Sequence, residues 1–118
     1  MPADRLMPTE ESQELIDLTR DIVAKELRPV IADLDARAEF PREIFRTLGR
    51  AGLMSLPYPE DLGGGGQSYE VYLQALEEIA SASASLGVGV SVHALSCFGL
   101  FTAGSDEQRA EWMPEMLS

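Results

Sequence analysis

Three groups of residues have types and spacings that could support chemistry. The first is the stretch PYPEDLGGGGQSYE, residues 57–70, where four glycines follow two prolines and an acidic pair. A phosphate-cradling loop needs a lysine and a hydroxyl residue straight after its last glycine, because the amine neutralises the phosphate while the hydroxyl holds magnesium. Here Gly66 is followed by Gln67. A dinucleotide loop needs a strand before the glycines, and residues 58–62 are interrupted by Pro59. The run therefore reads as a compact turn between helices, where glycine allows positive φ and close backbone approach. The second group, Arg42, Arg46 and Arg50, recurs at four-residue steps. Such a stripe can meet a phosphate, but it reads first as a solvated face paired with carboxylates such as Glu39 and Glu43. The third group is His93 with Cys97, one helical turn apart. His93 has no acidic residue within a turn, and Cys97 has no nearby cation to lower its pKa, so both read as interior residues. They are the only histidine and the only cysteine, which leaves no disulfide, no zinc set and no nucleophile–base–orienter constellation.

The elements that must position these residues read as helices. Leu15, Leu18, Ile22, Val23, Leu27, Val30, Ile31 and Leu34 recur at three- and four-residue steps among charged residues. Pro8 and Thr9 supply a start, Glu10 and Glu11 suit the positive end of the dipole, and Pro29 predicts a kink or break. A short second helix follows, with Pro41 in its first turn, an apolar face of Ile44, Phe45 and Leu48, and Gly52 as a left-handed cap. Ser68 is expected to cap a third helix that puts Tyr69, Tyr72, Leu73, Leu76 and Ile79 or Ala80 on one side. From residue 79 to residue 105 there is no Asp, Glu, Lys or Arg. A membrane span needs roughly 20 mostly apolar residues, so length alone permits one. The serines, glycines and His93 in the segment instead predict a central helix enclosed by protein on all sides. The alternating GVGVSV of residues 87–92 goes with that helix rather than with a strand. Ser105 and Gln108 then form a capping box for a last helix, with Asp106 and Glu107 in its first turn. The sum is an all-α bundle of about four to five helices.

Composition narrows the partners. The 118 residues suit one domain, and 45% hydrophobic against 25% charged residues is the balance of a soluble globular chain rather than a disordered one. Twenty acidic residues against nine basic ones give a net charge of −11, which repels nucleic acid. Lys25 is the only lysine, so no polybasic segment exists to hold an anionic membrane. A single cysteine points to a reducing compartment, and the acidic start MPADRLMPTEES has neither secretory nor mitochondrial character. A cytoplasmic location is expected.

Several ordered fragments resemble the N-terminal helical domain of the acyl-CoA dehydrogenases. They are Pro29 with Asp35 and Phe40-Pro41, Gly52-Leu53, Pro59-Glu60 before the glycines, Glu77-Glu78 before an Ala/Ser run, and GSDEQ followed by Trp112 and Pro114. The resemblance covers residues 9–117, nearly the whole chain. One departure is that Leu62 precedes an unbroken glycine run, where the family usually has an aromatic residue before the glycines and a bulky one within them; a looser loop is expected. The resemblance implies a parent enzyme that binds FAD and removes two hydrogens from the α and β carbons of an acyl thioester. In it a glutamate takes the α-proton and the flavin accepts hydride. The β-domain that holds the flavin and the C-terminal bundle that carries the glutamate are absent from this sequence. Residues 1–118 are therefore expected to be a single N-terminal domain with no catalytic, cofactor-binding or metal-binding residue, binding no FAD itself and inactive alone. By position the resemblance makes Gly87, Val88, Ser91, Val92 and Leu95 the acyl-pocket lining, while simple helix-on-helix packing stays open for them. It also implies acyl-CoA as the ligand of the complete enzyme and a homo-oligomer, usually a tetramer. The competing reading is a stand-alone helical interaction module, and the reading frame after Ser118 discriminates: a strand-rich continuation favours the enzyme, a stop codon the module.

Overall fold

The structure, a computed structural model, describes residues 4–118. Among the described residues six α-helices follow one another: α1 (Glu10–Ile22), α2 (Arg28–Ala36), α3 (Arg42–Arg50), α4 (Tyr69–Ala82), α5 (Ala84–Ala103) and α6 (Asp106–Met116). A π-helical turn, Val23–Leu27, fuses α1 and α2 into one rod, so the bundle has five helical bodies. No strand occurs among the described residues, and the GVGVSV segment lies inside α5.

The local signals act where physical chemistry places them. Thr9 Oγ1 accepts the Ser12 N–H at 3.1 Å and starts α1. Pro29 has no N–H and its ring would press on the carbonyl four residues back; the turn before it widens, and Arg28 N–H reaches Val23 O five residues away. The proline thus shifts the helical register instead of ending the helix. Pro41 stands at the N-cap of α3, one step before the first-turn position expected. Gly52 closes that helix with φ +77, while Leu53 N–H bonds Leu48 O at 2.9 Å. Ser105 and Gln108 form the expected capping box of α6 at 3.1 and 2.9 Å. Ser68 occupies the N-cap of α4, but its hydroxyl bonds no helix N–H.

The glycine run is not loose. Gly64, Gly65, Gly66 and Gln67 donate their N–H groups to Pro59, Ser55, Tyr58 and Leu56 carbonyls at 2.8 to 3.0 Å. A Cβ on Gly64 would stand 2.1 Å from the Tyr58 carbonyl oxygen. Removing every side chain lets the loop lie flat on residues 55–59 and satisfy its backbone there, which is why the departure tightens this corner rather than relaxing it.

Helix α1 packs on α4, α4 on α5, and α5 on α6. Ile16, Leu27, Leu48, Leu53, Ile79 and Met113 are at most 1% exposed at the centre of the core. Full burial of such a side chain contributes about 1.5–3 kcal/mol. In α4 the inward face is Val71, Tyr72, Ala75 and Ile79, whereas Tyr69 and Leu73 point outward. Sequence period favoured the larger side chains, but contact with α1 on one side and α5 on the other selects the face with small Ala75. The bundle measures 41 × 36 × 21 Å. Its thinnest dimension is about two helix diameters, and in a slab of that thickness no helix is covered all round. The expectation that the uncharged helix is enclosed on all sides is therefore corrected: Leu86, Gly87, Val90, Ala94 and Cys97 of α5 are buried, and the opposite side is open.

Candidate functional site

The open side of α5 carries Val88 (60% exposed), Val92 (52%), Leu95 (68%) and Phe98 (49%). Steps of four and three residues keep these on one side of a helix over nearly three turns. The hydroxyls nearby are turned back onto the helix. Ser91 Oγ donates to Val88 O at 2.9 Å, Ser96 Oγ to Val92 O at 2.9 Å, and Thr102 Oγ1 to Phe98 O at 2.8 Å. With no charged residue in α5, the surface they leave is apolar in effect as well as in composition.

Helices α4 and α5 run antiparallel through the one-residue joint at Ser83, whose hydroxyl accepts the Leu86 N–H. They meet closely at Ala80 and Gly87: a Cβ on Gly87 would lie 2.7 Å from Ala80 Cβ. Away from that apex they diverge into a groove of about 340 Å³, with Tyr69, Tyr72 and Leu73 on the α4 side and Ser91, Leu95 and Phe98 on the α5 side. Of the five residues assigned from the resemblance, Val88, Val92 and Leu95 lie on the open side and Ser91 is half-buried in the groove. Gly87 is on the other side, buried against α4. The tyrosine wall and Phe98 were not foreseen, although Phe98 follows Leu95 at the same i+3 step that links the others.

Burial keeps the Tyr58 and Tyr72 phenols and the Cys97 thiol protonated. Burial pushes the Tyr58 phenol up to about 12, and its O–H donates to Ala94 O. Burial also raises Tyr72 and Cys97, so Cys97 is a thiol and not a nucleophile. His93 Nε2 lies 2.6 Å from Met116 O and 3.6 Å from Cys97 Sγ. Since a carbonyl only accepts, that nitrogen carries the proton, and His93 is a strut between α5 and the end of α6. Among the arginines of α3, Arg46 pairs with Glu43 and Arg42 lies 5.5 Å over the Phe40 ring, while Glu39 turns instead to Arg37. No group of three His, Cys, Asp or Glu residues able to hold a metal occurs among the described residues.

Comparison with known proteins agrees with the fold. The profile described as "Acyl-CoA dehydrogenase, N-terminal domain" matches residues 9–118. An acyl-CoA dehydrogenase of Bacillus subtilis is 32% identical over 111 residues, which are 93% of this chain and 29% of that protein. The short-chain specific mitochondrial acyl-CoA dehydrogenase of Sus scrofa is 37% identical over 110 residues, 92% of this chain and 27% of the relative. Among solved structures, glutaryl-CoA dehydrogenase from Mycobacterium smegmatis superposes with a TM-score of 0.86 at 31% identity, over 93% of this chain and 29% of that one. The chain thus spans under a third of the length of these relatives. A profile match across almost every residue, joined to the same helical architecture, shows that the chain belongs to the family of acyl-CoA dehydrogenase N-terminal domains.

Proposed function

We propose that this chain is the substrate-facing N-terminal part of an FAD-dependent enzyme that dehydrogenates the α and β carbons of acyl-CoA thioesters. In this reading the open side of α5 is a wall along which the acyl tail lies. One observation supports it above the others: an exposed strip of Val88, Val92, Leu95 and Phe98 beside which Ser91 and Ser96 turn their hydroxyls back onto the helix. A strip facing only water would carry charge, and a contiguous apolar surface of this kind serves a partner. An alkyl tail asks for apolar contact alone, which this strip supplies.

The work of the described residues is to bind and to exclude water. The buried phenols of Tyr58 and Tyr72 and the Cys97 thiol stay neutral, and we assign them no proton transfer. The glycine run does not offer a phosphate cradle for a flavin, because its amides are already bonded to carbonyls. FAD would supply the oxidising chemistry, and we assign it and the catalytic carboxylate to chain beyond this domain. The complete protein is read as a cytoplasmic homo-oligomer.

The test uses the complete protein and a series of acyl-CoA thioesters of increasing length. Leu95→Asp, compared with Ser96→Asp at the edge of the strip, is expected to lower kcat/KM progressively as the tail lengthens. The scale is about 0.8 kcal/mol for each methylene that loses its contact. An equal loss for every chain length, or none, would refute the assignment of this strip to the tail.

A further inference from the structure

Residues 5–8 lie antiparallel along α4. Arg5 reaches Glu77 with both terminal guanidinium nitrogens, at 2.5 and 2.7 Å; Leu6 O accepts from Gln74 Nε2 at 2.9 Å; Met7 packs against the core. The segment then passes the first turn of α4, where a cleft of about 410 Å³ between Leu6, Met7, Pro8, Ser68 and Glu70 shows that it is not close-packed. Two further arginines clasp the same edge: Arg20 of α1 on Glu78 at 2.8 Å, and Arg28 on Ser81 Oγ at 3.0 Å. Those two sit inside helices and cannot leave without unfolding them. Arg5 belongs to a segment with no helical hydrogen bonds of its own.

A second observation opposes the closed position. Gln74 gives both amide hydrogens away, to Leu6 O and Glu70 O at 2.9 Å, but its Oε1 is buried without any donor. A buried carbonyl oxygen without a partner favours any movement that lets water reach it. Beside the Leu6–Gln74 bond and the Met7 packing, the segment is held down by an ion pair with side chains 43% and 59% exposed, the kind that salt screens readily. We propose that residues 5–8 are an ionically latched strap: it closes over Gln74 while Arg5 holds Glu77, and it opens as that pair is screened or removed, hydrating Gln74 Oε1 and uncovering the Met7 edge of the core.

The test follows tryptic cleavage of the Arg5–Leu6 bond by mass spectrometry in the complete protein, with a free peptide of residues 1–9 as the reference at every salt concentration. Trypsin must seat the Arg5 guanidinium, which the closed strap withholds. At low ionic strength the bond is expected to be cut more slowly than in the peptide by up to about fivefold, the scale of one exposed ion pair, with the difference shrinking as salt rises. Glu77→Gln should reduce the protection and remove its salt dependence, and Glu77→Asp should keep part of the salt dependence. Protection that does not change with salt, or cleavage of the wild-type protein at the peptide's rate in low salt, overturns the latch, and neither result requires a variant to fold.

Discussion

Gly87 separates two roles that its position in the chain leaves open. If it lines the acyl pocket, Gly87→Ala narrows that pocket, shortening the preferred substrate at little expense in stability. The structure predicts the opposite. The new Cβ would lie 2.7 Å from Ala80 Cβ and 3.2 Å from Ala80 Cα, against an ordinary carbon–carbon contact of about 3.5–4.0 Å. Helices α4 and α5 must therefore separate by roughly 1 Å at their apex. A contact this short belongs at the upper end of overpacking costs, about 2–3 kcal/mol, and alanine returns about 1 kcal/mol of helix propensity, so a net loss of about 1–2 kcal/mol is expected. In a chain of this size that lowers Tm by roughly 4–8 °C. Urea unfolding read by Trp112, the only tryptophan and half-exposed, measures it. The decisive measurement is the cycle with Ala80→Gly, which removes the atom in collision. The double variant should recover about 1 kcal/mol or more relative to the sum of the single changes. Additive effects, or a Gly87→Ala protein of unchanged stability that turns over only shorter tails, would show that Gly87 faces the substrate and that the packing argument is wrong.

Three more outcomes follow from the same contacts. Gly64→Ala pushes a Cβ into the Tyr58 backbone and should cost roughly 3 kcal/mol, whereas Gly99→Ala, on an open helix face with nothing within 4 Å, should stabilise by about 1 kcal/mol; paired urea titrations decide the two signs. The Tyr58 phenol titrates near 12 when folded against 10.0 as the ordinary value, so the folded state holds that proton more tightly; stability present below pH 10 should fall by up to about 2–3 kcal/mol between pH 10 and 12, and Tyr58→Phe should flatten that slope. The isolated 118-residue chain exposes Val88, Val92, Leu95 and Phe98 and should elute above its 12.9 kDa on sizing, with Val92→Glu plus Leu95→Glu returning it toward the monomer.

Much of the fold could be read from single residues because their effects are local. Thr9, Gly52, Ser105 and Gln108 act within one helical turn, so spacing alone predicts their caps, and Pro29 disturbs its own turn whatever packs around it. The face that α4 turns inward could not be read the same way. Tyr69 and Leu73 look as fit for a core as Val71 and Ala75, and only the simultaneous approach of α1 and α5 separates them. The strap was equally hidden, since Arg5 and Glu77 meet across 72 residues of chain and no periodicity links them.

The charge-free stretch of residues 79–105 was written in the sequence: composition fixed that it would be helical, apolar and in need of cover. Its surroundings were decided only in three dimensions. A slab two helices thick buries Leu86, Val90, Ala94 and Cys97 and must leave Val88, Val92 and Leu95 outside, because side chains around a helix point in every direction while a neighbour covers only one side. The sequence determined what kind of surface α5 offers, and the packing of α4 and α6 determined which half of it remains free to meet a ligand.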